Sequence, residues 1–596
     1  MMQLISTRFA RRLFLAITLL FMLCGAPDAL AQIKRQFDVR IPMRDRVELS
    51  ADIWMPAQEG KYPTILLRTP YLKTVEPPEV FQLGQFYAEK GYVLVVQDVR
   101  GRGDSDGDFK FFFNEAKDGY DSIEWIAKQP WSNGRVGMMG GSYLSSAQWL
   151  AAKERPPHLV CIASTAAPGS WFEHEPYAGG AFGLRFLLGW FNATSGQISQ
   201  TNAAGTDLKA VYSHRPLNTM DEFLGRRMPD FKETLAQPTQ NGYWKPLYLT
   251  PDDFSKINLP ALHITGLFDS FQSGALYFWR GMTASSPAKD KQYLIMGPWT
   301  HPGAIYGQGP QVGDMQFPKE AVVDLKALHV AFFDHFLKGS SPRFDFPKVR
   351  IFATGANKWR DEQEYPLSIA QNQNLYFHSG GKANTLNGDG RLSWAAPENE
   401  PPDQFTYDPK NPVPSDIGDG FQGPWGDMGL GMDRRSIQKR DDVLVYTSEP
   451  LEEPLEIAGR LTLNLFASSD AKDTDFTANI VDVDPTGKAI KLGPTAAGVI
   501  RARYRKGFDK TALLEPNKPE QFKINLFDIV HTFLPGHRIR IEISSSSFPA
   551  IAPNSNTGNP IATDTEWKTA RQTIYHDRSR ASYVSLPVVS KRRDRM

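Results

Sequence analysis

Arg135-Val136-Gly137-Met138-Met139-Gly140-Gly141-Ser142-Tyr143-Leu144-Ser145 is an apolar run broken by two glycines and a serine, after which a helical pattern continues to Lys153. The run predicts a buried strand over 135–140, and the spacing that follows predicts a helix from about Leu144 to Lys153. Gly140 and Gly141 give room for a tight turn, and Ser145 is small enough to let helix and strand approach. A serine on such a strand–turn–helix has an exposed hydroxyl and has the following N–H groups aimed at an anion. Ser105 competes for this reading. It sits in Gly103-Asp104-Ser105-Asp106-Gly107, a literal G-x-S-x-G, whereas Ser142 matches that spelling imperfectly. Ser105, however, lies in a loop between two aspartates whose charge opposes an oxyanion. It reads as a turn residue, and Ser142 as the nucleophile.

Outward from this stretch, residues 32–170 alternate strands and helices. Tyr62–Arg68 is a strand and a helix lies near Val80–Lys90. Gly91–Asp98 is an uninterrupted apolar strand, Asp118–Lys128 a helix, and Leu159–Ala166 another strand. Uninterrupted apolar strands alternating with helices predict an α/β doubly wound sheet, with its parallel strands buried on both faces. Residues 171–250 break the pattern. They are aromatic, Gly-rich and largely helical, and predict a cap inserted over the sheet edge. Alternation resumes over 251–342, with strands at Leu259–Gly266 and Gln292–Gly297. A long amphipathic helix follows from Glu320 to Leu337, stopped by Gly339-Ser340-Ser341-Pro342. From 343 to 596 the texture is short alternating segments (VRIFATG, LTLNLFASS, FTANIVDVD, RIRIEISSSS, SYVSLPVV), which predict an all-β jelly roll.

The first 31 residues have the three parts of a secretory signal peptide. Arg8, Arg11 and Arg12 are its basic region, Leu13–Cys24 its apolar region, and Ala29-Leu30-Ala31 its cleavage site. The apolar region is too short to span a bilayer, so the expectation is a periplasmic or secreted protein without a stable membrane anchor. The 67 Lys+Arg and 66 Asp+Glu of the 596 residues nearly cancel, which removes the basic footprint of a nucleic-acid partner. Two cysteines exclude a disulfide framework and a structural zinc site. Cys24 leaves with the signal, and Cys161, in HLVCIAST, reads as a small core hydrophobe.

A serine hydroxyl needs a base within reach, and the base needs an orienting carboxylate. In an α/β-hydrolase these follow in the order serine, acid, histidine, at the carboxyl ends of strands. Of the eleven histidines, His301 alone has that position, after the strand QYLIMG in Gly297-Pro298-Trp299-Thr300-His301-Pro302. His263 falls inside an apolar strand, His329 and His335 fall on the long helix, and His174 and His214 fall in the cap. Asp269, in Gly266-Leu267-Phe268-Asp269-Ser270, ends the preceding strand. The expected triad is Ser142, Asp269 and His301, with no metal or organic cofactor.

In that order these motifs resemble the CocE/NonD hydrolases, a group that holds cocaine esterase, α-amino-acid ester hydrolases, glutaryl acylases and, more distantly, X-prolyl dipeptidyl peptidases. Arg68-Thr69-Pro70-Tyr71 and the run from Asp98 to Gly107 match further family motifs, as do Gly536–Arg540 and Asn554–Gly558 in the β region. The resemblance implies an α/β-hydrolase core, a helical cap and a jelly roll beside the active site. It also implies that the Tyr71 phenol and the Tyr143 backbone N–H form the oxyanion hole. Phe271 and Gln272 stand where the amino-acid ester hydrolases carry acids for an ammonium. Glu173 and Glu175 in the cap read as surface residues, so an amino-acid ester is disfavoured. Trp171, Phe172, Tyr177, Phe182 and Phe271 suggest an apolar acyl pocket. The expected function is an exported serine hydrolase acting on a small-molecule ester or amide. The alternatives are an X-prolyl dipeptidyl-peptidase or acylase, and a non-catalytic carbohydrate-binding protein.

Overall fold

The computed structural model describes residues 33–74, 79–200, 206–307, 309–415 and 430–590. The signal-peptide reading of residues 1–31 therefore lies outside the described residues.

One sheet of ten strands carries the α/β part. Its strands are β1 (Lys34–Pro42), β2 (Glu48–Met55), β3 (Tyr62–Thr69), β4 (Val93–Asp98), β5 (Ser132–Gly141), β6 (Leu159–Thr165), β7 (Ala261–Phe268), β8 (Gln292–Thr300), β9 (Val349–Ala353) and β10 (Lys358–Glu362). They lie in the order β1-β2-β4-β3-β5-β6-β7-β8-β9-β10. The strands from β4 to β9 in that order run parallel, with antiparallel strands at both edges. Every residue of β4 and of β7 is buried, as continuous apolar runs between two helical layers require. The helices are α1 (Glu79–Glu89), α2 (Glu115–Ala127) and α3 (Tyr143–Lys153). Gly119 lets α2 and α3 meet closely, since a Cβ there would stand 2.6 Å from the Ala151 Cβ.

Two expectations are corrected. VRIFATG, read as part of the β region, forms β9 and pairs parallel with β8, so β9 and its hairpin partner β10 complete the α/β sheet. The helix expected from Glu320 to Leu337 is an α-helix only over Leu325–Phe333. Its start is set by Asp324, whose side chain accepts from the Ala327 N–H, and a wider π turn continues it to Lys338.

The cap is a set of short helices and turns between β6 and β7. Its longest described helix is α4 (Leu184–Thr194), which buries Leu187, Leu188, Trp190 and Phe191. β7 is followed by α5 (Gln272–Ser285), and β8 by the short α6 (His301–Tyr306). The C-terminal strands form a separate twelve-stranded system with its own apolar core. Its longest pair is β11 (Leu455–Ser469) with β14 (Glu520–Phe533), and between them in sequence lie β12 (Asp475–Val483) and β13 (Gly498–Arg501). This is the expected all-β domain. Among the described residues no helix is long and apolar enough to cross a membrane.

Candidate active site

β5, β6, β7 and β8 are adjacent and parallel, so the loops after β5, β7 and β8 emerge at one edge of the sheet. Those loops carry Ser142, Asp269 and His301. Ser142 takes φ 59° and ψ −122°, a left-handed conformation that costs about 1–3 kcal/mol for a residue with a side chain. The turn is held by the Ser142 N–H donating to the Thr165 carbonyl at 3.0 Å and by the Ser142 carbonyl accepting from the Ser145 N–H at 3.0 Å. Gly141 has to be glycine, because a Cβ there would stand 2.5 Å from the side chain of Ile305. That approach seats α6, which begins at His301, against the serine turn.

His301 Nδ1 donates to Asp269 Oδ1 at 2.9 Å. The same carboxylate accepts from the Phe271 N–H at 2.9 Å and from Thr265 Oγ1 at 3.1 Å. Asp269 is fully buried, and the His301 side chain is 20% exposed. With Nδ1 donating, the Nε2 of a neutral His301 is an acceptor. The ring packs edge-on against Phe271, 4.7 Å between centroids. Ser142, His301, Tyr71 and Phe271 all line one cavity of about 570 Å³, enclosed by the core, the cap and the β-domain.

Tyr71 follows β3. Its phenol oxygen accepts from Trp190 Nε1 at 3.0 Å, so the cap helix α4 fixes its position from above. The Tyr143 N–H opens helix α3, where first-turn N–H groups have no helical partner. The Tyr143 side chain turns away and bonds Glu115 at 3.0 Å, and burial holds its hydroxyl well above the usual phenol range.

The motif from Asp98 to Gly107 supports Tyr71 from below. Arg102 is fully buried and donates to the Pro70 carbonyl at 2.7 Å, the Thr194 carbonyl at 2.8 Å and Ser199 Oγ at 2.8 Å. It therefore ties the residue before Tyr71 to the end of α4. Asp98 accepts from the Lys73 N–H at 2.7 Å. Ser105 is buried, donates to the Asp98 carbonyl at 2.7 Å and accepts from the Ser50 N–H at 2.8 Å, which confirms it as a turn residue. Sequence reading missed Arg102 and Trp190 as supports. It also missed Gln272, whose amide exchanges two hydrogen bonds with the Asp528 backbone, at 2.8 and 3.0 Å, and so joins the Asp269 loop to β14.

The expected acyl pocket is only partly present. Phe271 lines the cavity, but Trp171, Phe172, Tyr177 and Phe182 do not. Trp171 packs on Phe111 and Phe112. Phe172 stacks on Tyr177, which also meets Phe182. These rings bury the cap against the core, because their apolar area is worth more there than in a wet cavity. Glu173 and Glu175 line the cavity with His174 between them; Glu173 is exposed, as expected, whereas Glu175 is half-buried. Burial pushes the Glu175 carboxyl up to about 8 and the His174 imidazole down to about 3. Cys161 is a free, buried thiol whose ionisation burial suppresses, as expected of a core residue. Among the described residues no group of three or more His, Cys, Asp or Glu is placed to hold a metal ion.

Comparison with known proteins agrees with this architecture. Residues 45–303 match the X-Pro dipeptidyl-peptidase (S15 family) model, and residues 343–585 match the X-Pro dipeptidyl-peptidase C-terminal non-catalytic domain. The chain is 34% identical over 583 residues to cocaine esterase of Rhodococcus sp. (strain MB1 Bresler), covering 93% of this chain and 98% of that protein. Among solved structures, a selenomethionine-labelled α-amino acid ester hydrolase superposes with a TM-score of 0.83 at 27% identity, over 95% of this chain and 99% of that one. An aminopeptidase from a marine sediment archaeon, Thaumarchaeota archaeon, superposes with a TM-score of 0.84 at 26% identity, over the same 95% and 99%.

Proposed function

This chain belongs to the S15 family of serine hydrolases that includes cocaine esterase, and from that premise we propose that it is an exported esterase working through an acyl-enzyme on Ser142. The observation that carries the reading is the serine turn at φ 59°, opening on a cavity that His301 and Tyr71 also line, with His301 bonded to a fully buried Asp269.

The steps follow from the geometry. Nε2 of His301 takes the Ser142 proton as Oγ attacks the ester carbonyl, and the imidazolium that forms is stabilised by Asp269. The carbonyl oxygen becomes an anion, which the Tyr71 hydroxyl and the Tyr143 N–H stabilise more strongly than they do the ground-state carbonyl. Collapse expels the alcohol, which takes its proton from His301. Water attacks the acyl-enzyme with His301 again as base, and Ser142 is regenerated. Strain held in the turn keeps Oγ exposed through both steps.

A fluorophosphonate probe tests the assignment. Stoichiometric modification at Ser142, located by peptide mass spectrometry and absent from Ser142→Ala, is the expected result. Modification at another serine, or aryl-ester turnover that survives in Ser142→Ala, overturns it. The presence of Glu173 and Glu175 in the cavity gives a second reading, a peptidase that pairs a free amino group with the cap. Faster cleavage of X-Pro anilides than of simple aryl esters would favour it. Export is tested by the N-terminal residue of the protein recovered outside the cytoplasm, expected to be Gln32.

A further inference from the structure

Behind the oxyanion wall lies a closed polar cluster that the reaction steps do not use. Glu115 opens helix α2, and its side chain is 3% exposed. Its Oε2 accepts from Nη1 of Arg68 at 2.5 Å, and its Oε1 accepts from the Tyr143 hydroxyl at 3.0 Å. Arg68 is wholly buried and also donates to the Glu115 carbonyl at 3.1 Å and, through Nε, to Gln97 Oε1 at 2.8 Å. Ser122 Oγ donates to the same Gln97 oxygen at 3.0 Å. Burial pushes the Glu115 carboxyl up, and the Arg68 guanidinium opposes that shift. Asp118 and Arg100, which also act on Glu115, bond each other at 2.7 Å.

The two residues tied to Glu115 lead to the two oxyanion donors. Arg68 sits on β3, three positions before Tyr71. Tyr143 carries the other donor on its own main chain, at the root of the side chain whose tip Glu115 holds. The ring between root and tip is packed: it stacks on Phe112, 3.9 Å between centroids, and the Phe112 N–H reaches its hydroxyl at 3.4 Å. Because α3 starts at Tyr143, this ring is the first side chain of the helix, and its contacts bear directly on the turn at Ser142. A buried ion pair is no requirement for stability, since apolar side chains of similar volume often serve as well. What the carboxylate adds is direction, one oxygen for β3 and the other for α3.

We propose that Glu115 is a positioning residue of the oxyanion hole, which holds the Tyr143 N–H in line with the Tyr71 hydroxyl by way of the Tyr143 ring and Arg68. This rests on the ester-hydrolase reading and adds to it a residue that does not border the cavity. Glu115 moves no proton. It keeps the first turn of α3 in place while negative charge develops on the carbonyl oxygen, when a donor that gives way loses its effect.

The test measures 4-nitrophenyl acetate turnover and phenylboronic acid binding in the wild type, Tyr143→Phe, Glu115→Gln and the double variant. The boronate forms a tetrahedral adduct on a nucleophilic serine and so reports the oxyanion hole without turnover. Tyr143→Phe leaves the Arg68–Glu115 pair in place. A fall of about 10-fold in kcat with KM unchanged, matched by about 10-fold weaker boronate binding, is the expected result. Glutamine has one accepting oxygen, which Arg68 claims, so Glu115→Gln should reproduce that loss. The double variant should lose no more than either single one, because both break the same link. Full kcat and boronate affinity in Tyr143→Phe, a loss that falls on KM instead, or losses that multiply in the double variant overturn the positioning role. Tyr143→Phe decides alone if Glu115→Gln does not fold. A wild type that turns over no ester counts against the ester reading alone. The boronate affinities of the same proteins then decide on Glu115, and equal binding by the wild type and Tyr143→Phe, or none, overturns it.

Discussion

Tyr71 shows how much one side chain contributes through its neighbours. Its oxygen accepts from Trp190, its preceding carbonyl accepts from Arg102, and its loop is anchored by Asp98 through the Lys73 N–H. On the proposed mechanism Tyr71→Phe removes one oxyanion donor, and it leaves the Arg102 and Asp98 anchors of the loop standing. Turnover of an aryl ester is expected to fall about 10²–10³-fold in kcat with KM little changed. Stability is expected to drop by about 1 kcal/mol, since the Trp190 N–H loses its acceptor. Stopped-flow turnover and urea denaturation read the two effects separately, and an unchanged kcat would remove Tyr71 from the oxyanion hole. At this scale the sequence was most informative about Ser142, Asp269 and His301. Each follows an apolar strand, and glycines at 140, 141, 266 and 297 mark the ends. It was least informative about Trp171, Phe172 and Tyr177. A buried aromatic and a pocket aromatic have the same composition, and only the packing partner separates them.

Between elements, the loop from Asp98 to Gly107 acts as a brace between β4, the Tyr71 segment and cap helix α4. Arg102 is its centre, and it does this without a carboxylate partner, so burial lowers its guanidinium to about 10. Arg102→Met takes away a buried charge but leaves the Pro70 and Thr194 carbonyls without donors. Stability should fall by about 2–4 kcal/mol. Turnover should fall as well, because the segment holding Tyr71 is no longer tied to α4. Urea denaturation alongside kcat checks this, and a stable variant with normal kcat would show that the brace is dispensable. The motif was legible in the sequence as a family signature, but its purpose was not, since Arg102 acts through backbone atoms 32 and 92 positions away. The sheet partner of β9 was not legible, because tertiary pairing overrode local pattern: its alternation resembles the β-domain although it pairs with β8.

Over the whole molecule, the cavity exists only because cap, core and β-domain meet. Glu173, His174, Glu175 and Arg460 were not readable as neighbours, because they come from segments almost three hundred residues apart. Glu175 makes this assembly pH-sensitive. Its folded carboxyl titrates near 8 and an unfolded glutamate near 4.5, so the folded state holds a proton that the unfolded chain has lost. Stability is therefore highest below about pH 4.5 as far as this group is concerned. It falls as pH rises toward 8, and the full penalty stands above that. Glu175→Gln should be more stable than the wild type by about 1–3 kcal/mol at pH 8, with the difference vanishing toward pH 5. Thermal melts of both proteins across that range check it, and a pH-independent difference would mean that Glu175 is ionised in the folded protein.

The amide of Gln272 bonds the backbone of Asp528. The loop that carries Asp269 cannot reach its final set of bonds until β14 has been made, and β14 lies near the end of the chain. A nascent chain that has completed Ser142, Asp269 and His301 still lacks that brace, and also lacks β9 and β10 at the sheet edge. The bonding around Asp269 is therefore complete only when the β-domain strand β14 is in place beside the α/β core.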